Sequence, residues 1–195
     1  MTETTASTSS LMHTNDNNSD INATQPTYTY RVNDYEITVI GAGGIGSHLV
    51  SALVPALHRG DLLVSTERIT IRMYDSDVVS EENLAHQRFM PDDVGKHKVT
   101  AIAESMASFT SERLRLVACP WDVREASDMK PADLTVVAVD SAVARRVVHS
   151  SDTIFLDLRC LGDGYIAIDS SVDPDFVTKI TPDQPARSCQ HEDAI

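Results

Sequence analysis

An α/β fold, a mainly parallel sheet with helices on both faces, follows from two features of the sequence. Short aliphatic and β-branched runs alternate with segments whose apolar residues recur at helical spacing. At the first junction from strand to helix stands a glycine-rich turn, Gly41-Ala-Gly-Gly-Ile-Gly46. Such a turn sets a helix close against a parallel strand, and strand-helix alternation of this kind requires crossover helices on the sheet faces.

Residues 1–27 are rich in Ser, Thr and Asn and lack apolar periodicity. They cannot bury enough surface to offset ordering entropy, which predicts a disordered tail before a single domain over 28–195. Tyr35 to Ile40 reads as the first strand. The helix that follows runs from Gly44 to Leu57, with Ile45, Leu49, Val50 and Leu53 on one stripe. Pro55 is expected to strain or end it near its last turn. His58 to Arg68 reads as an irregular connection and Ile69 to Tyr74 as the second strand, closed by Asp75. Val94 to Met106 has helical spacing. Leu114 to Ala118 and Leu134 to Val139 are further strands around a short helix at about Val123 to Met129. Ser141 to His149 is helical, then Ile154 to Leu158 and Tyr165 to Asp169 are strands. After Asp173, Pro174, Pro182 and Pro185 predict an extended crossing loop. The sum is a Rossmann-like sheet.

The 195 residues suffice for one proper core, and 42% of them are hydrophobic. No apolar run approaches the roughly 20 residues needed to span a bilayer, and no basic flank with an apolar stretch marks a secretory signal. A formal charge of −13 argues against nucleic acid as a partner, because such binding draws on Lys and Arg against phosphates. The three cysteines, Cys119, Cys160 and Cys189, are odd in number and widely spaced. They fit reduced thiols in a cytoplasm better than a disulfide framework.

The glycine turn carries the first chemistry. Of the cofactor-binding glycines Gly41, Gly43, Gly44 and Gly46, the first permits the tight turn, the second lets phosphates approach the backbone, and the last allows close helix-sheet packing. Free N–H groups of the helix attract the anion. The bland reading is a turn that only packs a helix on a sheet. A dinucleotide site would show an acid about 20 residues beyond the turn; here the acid ending the second strand is Asp75. The turn alone therefore leaves NAD and ATP both open.

The second strand continues as Asp75-Ser-Asp77-Val-Val-Ser-Glu-Glu-Asn83-Leu-Ala-His86-Gln87-Arg88-Phe89, then Asp93-Val-Gly95-Lys96-His97-Lys98. This resembles the ThiF/MoeB/HesA family, the E1-like activating enzymes, whose pattern runs Asp-x-Asp-x-Val, Asn-Leu-x-Arg-Gln and Gly-x-x-Lys. The flavour is that of short bacterial and phage ThiF-like proteins of the PRTRC type. The resemblance spans about Tyr35 to Cys189. It implies ATP and Mg2+ as cofactors, and adenylation of the C-terminal carboxylate of a ubiquitin-like or sulfur-carrier protein. It also implies a homodimer or a complementing second chain. By the same resemblance Asp75 holds the ribose hydroxyls, with Asp77 and Gln87 in the cofactor pattern. Asn83 and Lys98 contact phosphates, and Asp140 is the magnesium-associated aspartate. A hard dication suits a carboxylate, and cations suit phosphates under attack. Each residue has a plainer alternative. Asp75 could be a solvated turn acid, Asp140 a helix cap beside Ser141, and Lys96 and Lys98 exposed helix lysines.

Four departures qualify the resemblance. His86 stands where the pattern has arginine, and histidine cannot fork onto phosphate as guanidinium does; Arg88, two residues on, is the candidate to compensate. Arg31 is a weak match to an N-terminal arginine that reaches a partner subunit. No Cys-x-x-Cys pair exists, so zinc is not expected. The sequence ends soon after Ser188-Cys189, which reads as a fragment, a minimal version or half of a two-chain assembly. Cys189, near His191, is a candidate acyl-accepting thiol, though a lone terminal cysteine is more often incidental. Cys160 and Cys119 read as packing residues, Arg145 and Arg146 as a solvated helix face. A nucleotide-binding module without turnover and an NAD-dependent oxidoreductase are the competing readings.

Overall fold

The computed structural model describes residues 32–161 and 164–180; the predicted tail, Arg31, Pro182, Pro185, Cys189 and His191 lie outside the described residues. Strand β1 spans Val32–Ile40, β2 Thr66–Tyr74, β3 Leu114–Cys119, β4 Leu134–Val137, β5 Phe155–Leu161 and β6 Gly164–Asp169. Helices are α1 Gly44–Arg59, α2 Leu62–Ser65, α3 Lys98–Ser105, α4 Ala142–His149 and α5 Pro174–Lys179. One six-stranded sheet runs in the order β3-β2-β1-β4-β5-β6. All neighbours pair in parallel except β5 and β6, which are antiparallel. The expected mainly parallel sheet with helices on both faces is what forms.

Alternation along the central strands divides the core in two. Ile37 and Val39 of β1, with Ile69, Ile71 and Met73 of β2, pack under Val50, Val54 and Leu57 of α1 and Val99 and Ile102 of α3. The opposite face carries Ile40, Tyr74 and Val137 beneath Ala144 and Val148 of α4 and Val177 of α5. Strands buried on both faces read as continuous apolar runs, which is why β1, β2 and β4 were legible without alternation.

Several boundaries move. Helix α1 continues past Pro55 to Arg59; of the expected stripe Val50 is buried and Leu49 and Leu53 pack at the core's edge, but the buried line is Gly46, Ser47, Val50, Val54 and Leu57. Gly46 must face the sheet, and that contact sets the rotation of the whole helix. The stretch from His58 to Arg68 is not irregular throughout, since α2 and the start of β2 lie within it. Arg113 ties this connection down by donating to the carbonyls of Leu63, Thr66 and Glu67. Helix α3 begins at Lys98, not Val94: Gly95 takes φ +91°, Val79 exchanges backbone bonds with Gly95 and Lys96, and His97 bridges to Val78 instead of entering a helix. The expected helix over Val123 to Met129 shrinks to a 3-10 turn at Ala126–Asp128. Strand β4 ends at Val137, not Val139, and Pro174 starts α5 where an extended loop was expected, its fixed φ suiting a first helical position.

Candidate functional site

β1 pairs with β2 on one edge and β4 on the other, so crossovers leave the two sides of β1 in opposite directions. A crevice opens at the carboxyl ends of strands at such a switch point. The glycine turn after β1, Asp75 after β2 and Asp140 after β4 all arrive there.

The four glycines of the turn divide by what surrounds them. Gly41 has φ +101°, donates its N–H to the Tyr74 carbonyl at 2.9 Å, and presses against the Ala138 carbonyl. A Cβ at Gly46 would overlap the Gly41 carbonyl oxygen. Those two are demanded by the protein's own packing. Gly43 differs: nothing lies within 4 Å of a Cβ placed there, and at Gly44 the nearest atom is the His86 carbonyl oxygen, 3.7 Å away. Gly43 and Gly44 therefore leave room at the amino end of the 16-residue α1 for something outside the chain.

Asp75 latches this turn. One carboxylate oxygen accepts the Ala42 N–H at 2.6 Å, and the other accepts the Asp77 N–H at 2.8 Å. Burial pushes the carboxyl above its ordinary range, against the pull of those two donors. It is thus not a freely solvated turn acid. Each oxygen keeps acceptor capacity beyond its one backbone bond.

The segment after β2 folds back beside it. Val79 donates to the Lys96 carbonyl at 2.8 Å, and Lys98 N–H donates to the Asp77 carbonyl at 2.9 Å. Lys98 is no exposed helix lysine: its side chain is 8% accessible and its Nζ lies 2.8 Å from Asp77 Oδ2. Asn83 is buried, and its Oδ1 accepts the Ser80 N–H at 3.0 Å, holding a 3-10 turn over Glu81–Ala85. Ser47, fully buried on α1, accepts the Arg88 N–H at 3.1 Å. With Phe89 seated in the core, this fixes Arg88 beside the first turn of α1, its exposed guanidinium making no bond among the described residues. Gln87 Oε1 is buried without a hydrogen-bond partner.

Asp140 is exposed beyond β4 and makes no hydrogen bond or ion pair among the described residues. Helix α4 starts with Ser141 as its cap residue and takes no side-chain cap, so the helix-cap reading of Asp140 does not hold. The profile of the ThiF family matches residues 16–191. The chain belongs to the ThiF family.

Solved structures similar to this ThiF-family chain include E. coli MccB with ATP, at 24% identity and TM-score 0.51, covering 66% of this chain and 38% of that one. E. coli MccB with AMPCPP and MccA matches at 23% and 0.54, covering 69% and 39%. These likenesses show the fold. The chain spans about two fifths of the length of those proteins. Comparison with curated proteins finds no match.

The structure brings together Gly41, Gly43, Gly44, Gly46, Asp75, Asp77, Asn83, Gln87, Arg88 and Lys98 on neighbouring segments, with Asp140 across the switch point. Cys160 is exposed on β5, not a packing residue, whereas Cys119 is buried as expected. Arg145 is not on a solvated face. Its Nη2 donates to the Val139 carbonyl and its Nε lies 3.3 Å from Asp157 of β5, which is fully buried. Arg159 places two nitrogens on the same Asp157 oxygen at 2.6 and 3.1 Å, and His149 Nε2 stands 3.0 Å from it. Burial pushes Asp157 up, but these donors and the two guanidinium charges outweigh it, leaving its carboxyl below the ordinary range. Neither Ser47 nor Asp157 was singled out from sequence. The serine offered no signal beyond its place four residues before Ser51 on α1. The aspartate and Arg159 stood two apart in an otherwise apolar strand, on one face of it, a pattern that marks a buried ion pair.

Among the described residues no cluster of three or more His, Cys, Asp and Glu could hold a metal ion by itself. Mg2+ is commonly held by one or two carboxylates together with substrate phosphates. Asp140, exposed beyond β4 and at the same switch point as the glycine turn with room for phosphate, fits that donor set.

Proposed function

We propose that this ThiF-family chain binds ATP with Mg2+ at the switch point and adenylates the C-terminal carboxylate of a small ubiquitin-like or sulfur-carrier protein. The observation that carries the reading is the open space at Gly43. The protein's own packing does not require a glycine there, and an approaching phosphate does. The N–H groups at the start of α1 bind that phosphate, and Asp75, already fixed by the turn, accepts from the ribose. Arg88 and Lys98 offset negative charge on the leaving pyrophosphate; Asn83 and Gln87 orient the segment that carries them. Asp140 is the residue that would hold Mg2+, which supplies further charge neutralisation on the phosphates. The carrier's carboxylate oxygen attacks the α-phosphorus, the bond to the bridging oxygen breaks, and pyrophosphate leaves with the electron pair. That displacement needs positioning more than a protein nucleophile. The presence of MccA with MccB in one similar structure favours a peptide or small protein as the acyl partner. No described helix is long and apolar enough to cross a membrane.

A second reading, a nucleotide-binding module without turnover, draws support from two observations. His86 replaces the pattern's arginine, and the Lys98 charge is already matched by Asp77. Pyrophosphate exchange separates the two. ATP binding by calorimetry, with exchange that appears when a carrier ending in Gly-Gly is added, is the expected result. ATP binding without exchange across a panel of such carriers would leave the module. Binding of NADH in place of ATP would point to an oxidoreductase. Asp140→Ala is expected to abolish Mg2+-dependent exchange while leaving the circular dichroism spectrum unchanged; full exchange in that variant would move the metal position elsewhere.

A further inference from the structure

Asp140 is exposed at the end of the half-buried Ala138–Val139 stretch, and no hydrogen bond or ion pair among the described residues fixes its side chain. A metal ligand needs its carboxylate held in place before the ion arrives, and partners outside the coordination sphere usually do this. The turn is held from below. Val139, the residue before Asp140, has its carbonyl bonded by Arg145, which reaches back from the first turns of α4. The same guanidinium is ion-paired to Asp157, with Nε and Oδ1 3.3 Å apart but not aligned as a hydrogen bond. Asp157 in turn is immobilised by complete burial, by the fork of Arg159 and by His149. It pairs in register with Val137, the last residue of β4, so the anchor lies beside the strand end from which Asp140 departs.

We propose that Arg145, clamped by Asp157, is a positioning residue that holds the Val139–Asp140 peptide so that the Asp140 carboxylate meets Mg2+ bound to the nucleotide. The proposal rests on the reading of Asp140 as the magnesium-associated carboxylate. It gives a solvent-shielded arginine a task beyond packing, since its two contacts join a sheet residue to the backbone of the metal turn. Arginine reaches the two partners from separate nitrogens of a planar fork, Nη2 and Nε, a span that a lysine, with all its donors on one nitrogen, does not reproduce.

The test is calorimetric titration of the full chain with ATP, once with Mg2+ and once with EDTA, on the wild type, Asp140→Ala, Arg145→Ala and Arg145→Lys. The wild type should bind ATP more tightly with Mg2+, and Asp140→Ala should erase that gain. Arg145→Ala should cut the gain by about tenfold, as loss of an outer partner of a metal ligand does, with the affinity in EDTA unchanged. Arg145→Lys, which keeps a cation for Asp157 and hence the fold, should show the same selective loss if the alanine variant does not fold. A gain retained in both Arg145 variants while Asp140→Ala loses it would overturn the proposal, as would an equal loss in EDTA and Mg2+. A gain that is missing in the wild type or survives Asp140→Ala would remove the metal reading itself, and the proposal with it.

Discussion

Single side chains here act mostly by holding backbone. Asp75 has both oxygens on N–H groups of the turns it joins, and Ser47 accepts the N–H of Arg88 across 41 residues of sequence. Ser47→Ala would leave that N–H without its partner in a part-buried site, at a cost of about 1 kcal/mol. A lower melting temperature together with weaker ATP binding is expected, because the same bond places Arg88. An unchanged affinity would detach Arg88 from the nucleotide. Asp75 and Lys98 were legible from sequence because strand ends and spacing put them in a recognisable pattern. Arg145 was misread. A charged residue on a short helix defaults to a solvated face, and its partner Asp157 becomes visible only once β4 and β5 are paired.

At the scale of elements, the glycine turn offers an internal control. Gly43→Ala adds a methyl group to open space and should leave the melting temperature unchanged while weakening ATP binding. Gly46→Ala drives a Cβ into the Gly41 carbonyl, so α1 must lift from the sheet. Overpacking of this kind costs about 1–3 kcal/mol or more, and the variant should melt earlier whether or not nucleotide is present. If Gly43→Ala bound ATP as the wild type does, the turn would be only a packing device. The strand-turn-helix unit itself was plain in the sequence. The late start of α3 was not, because Val94 to Met106 keeps helical spacing throughout. The pairing of Val79 with Gly95 and Lys96, which stops the helix from starting earlier, is a tertiary fact.

For the molecule as a whole, a mainly parallel sheet with helices on both faces followed from the succession of strand and helix segments, whereas the strand order is seen only in the structure, as is the ionic seam between β5 and α4. That seam should shape the response to acid. Asp157 has its folded pKa depressed, so its contribution is present above the unfolded value and is lost as pH falls through the folded one. Asp75, raised by burial, has the opposite sign: its contribution is present at low pH and lost as pH rises through its folded pKa. Asp157→Asn removes one partner of a buried pair, which costs about 3–5 kcal/mol at neutral pH. Its deficit relative to the wild type should shrink in melts taken below the ordinary aspartate range. A deficit independent of pH would mean that the carboxylate charge is not what holds the seam.

The position of β1 between β2 and β4 also has a consequence in time. β1, β2 and β3 can assemble in the order in which they are synthesised, but the other edge of β1 must wait for β4; the bond that the Glu36 N–H donates to the Asp133 side-chain carboxylate at that border joins residues 97 apart. Closing so long a loop is slow relative to local pairing. The crevice between β1 and β4 is therefore completed late, and the nucleotide site proposed there cannot be whole until the second half of the sheet arrives.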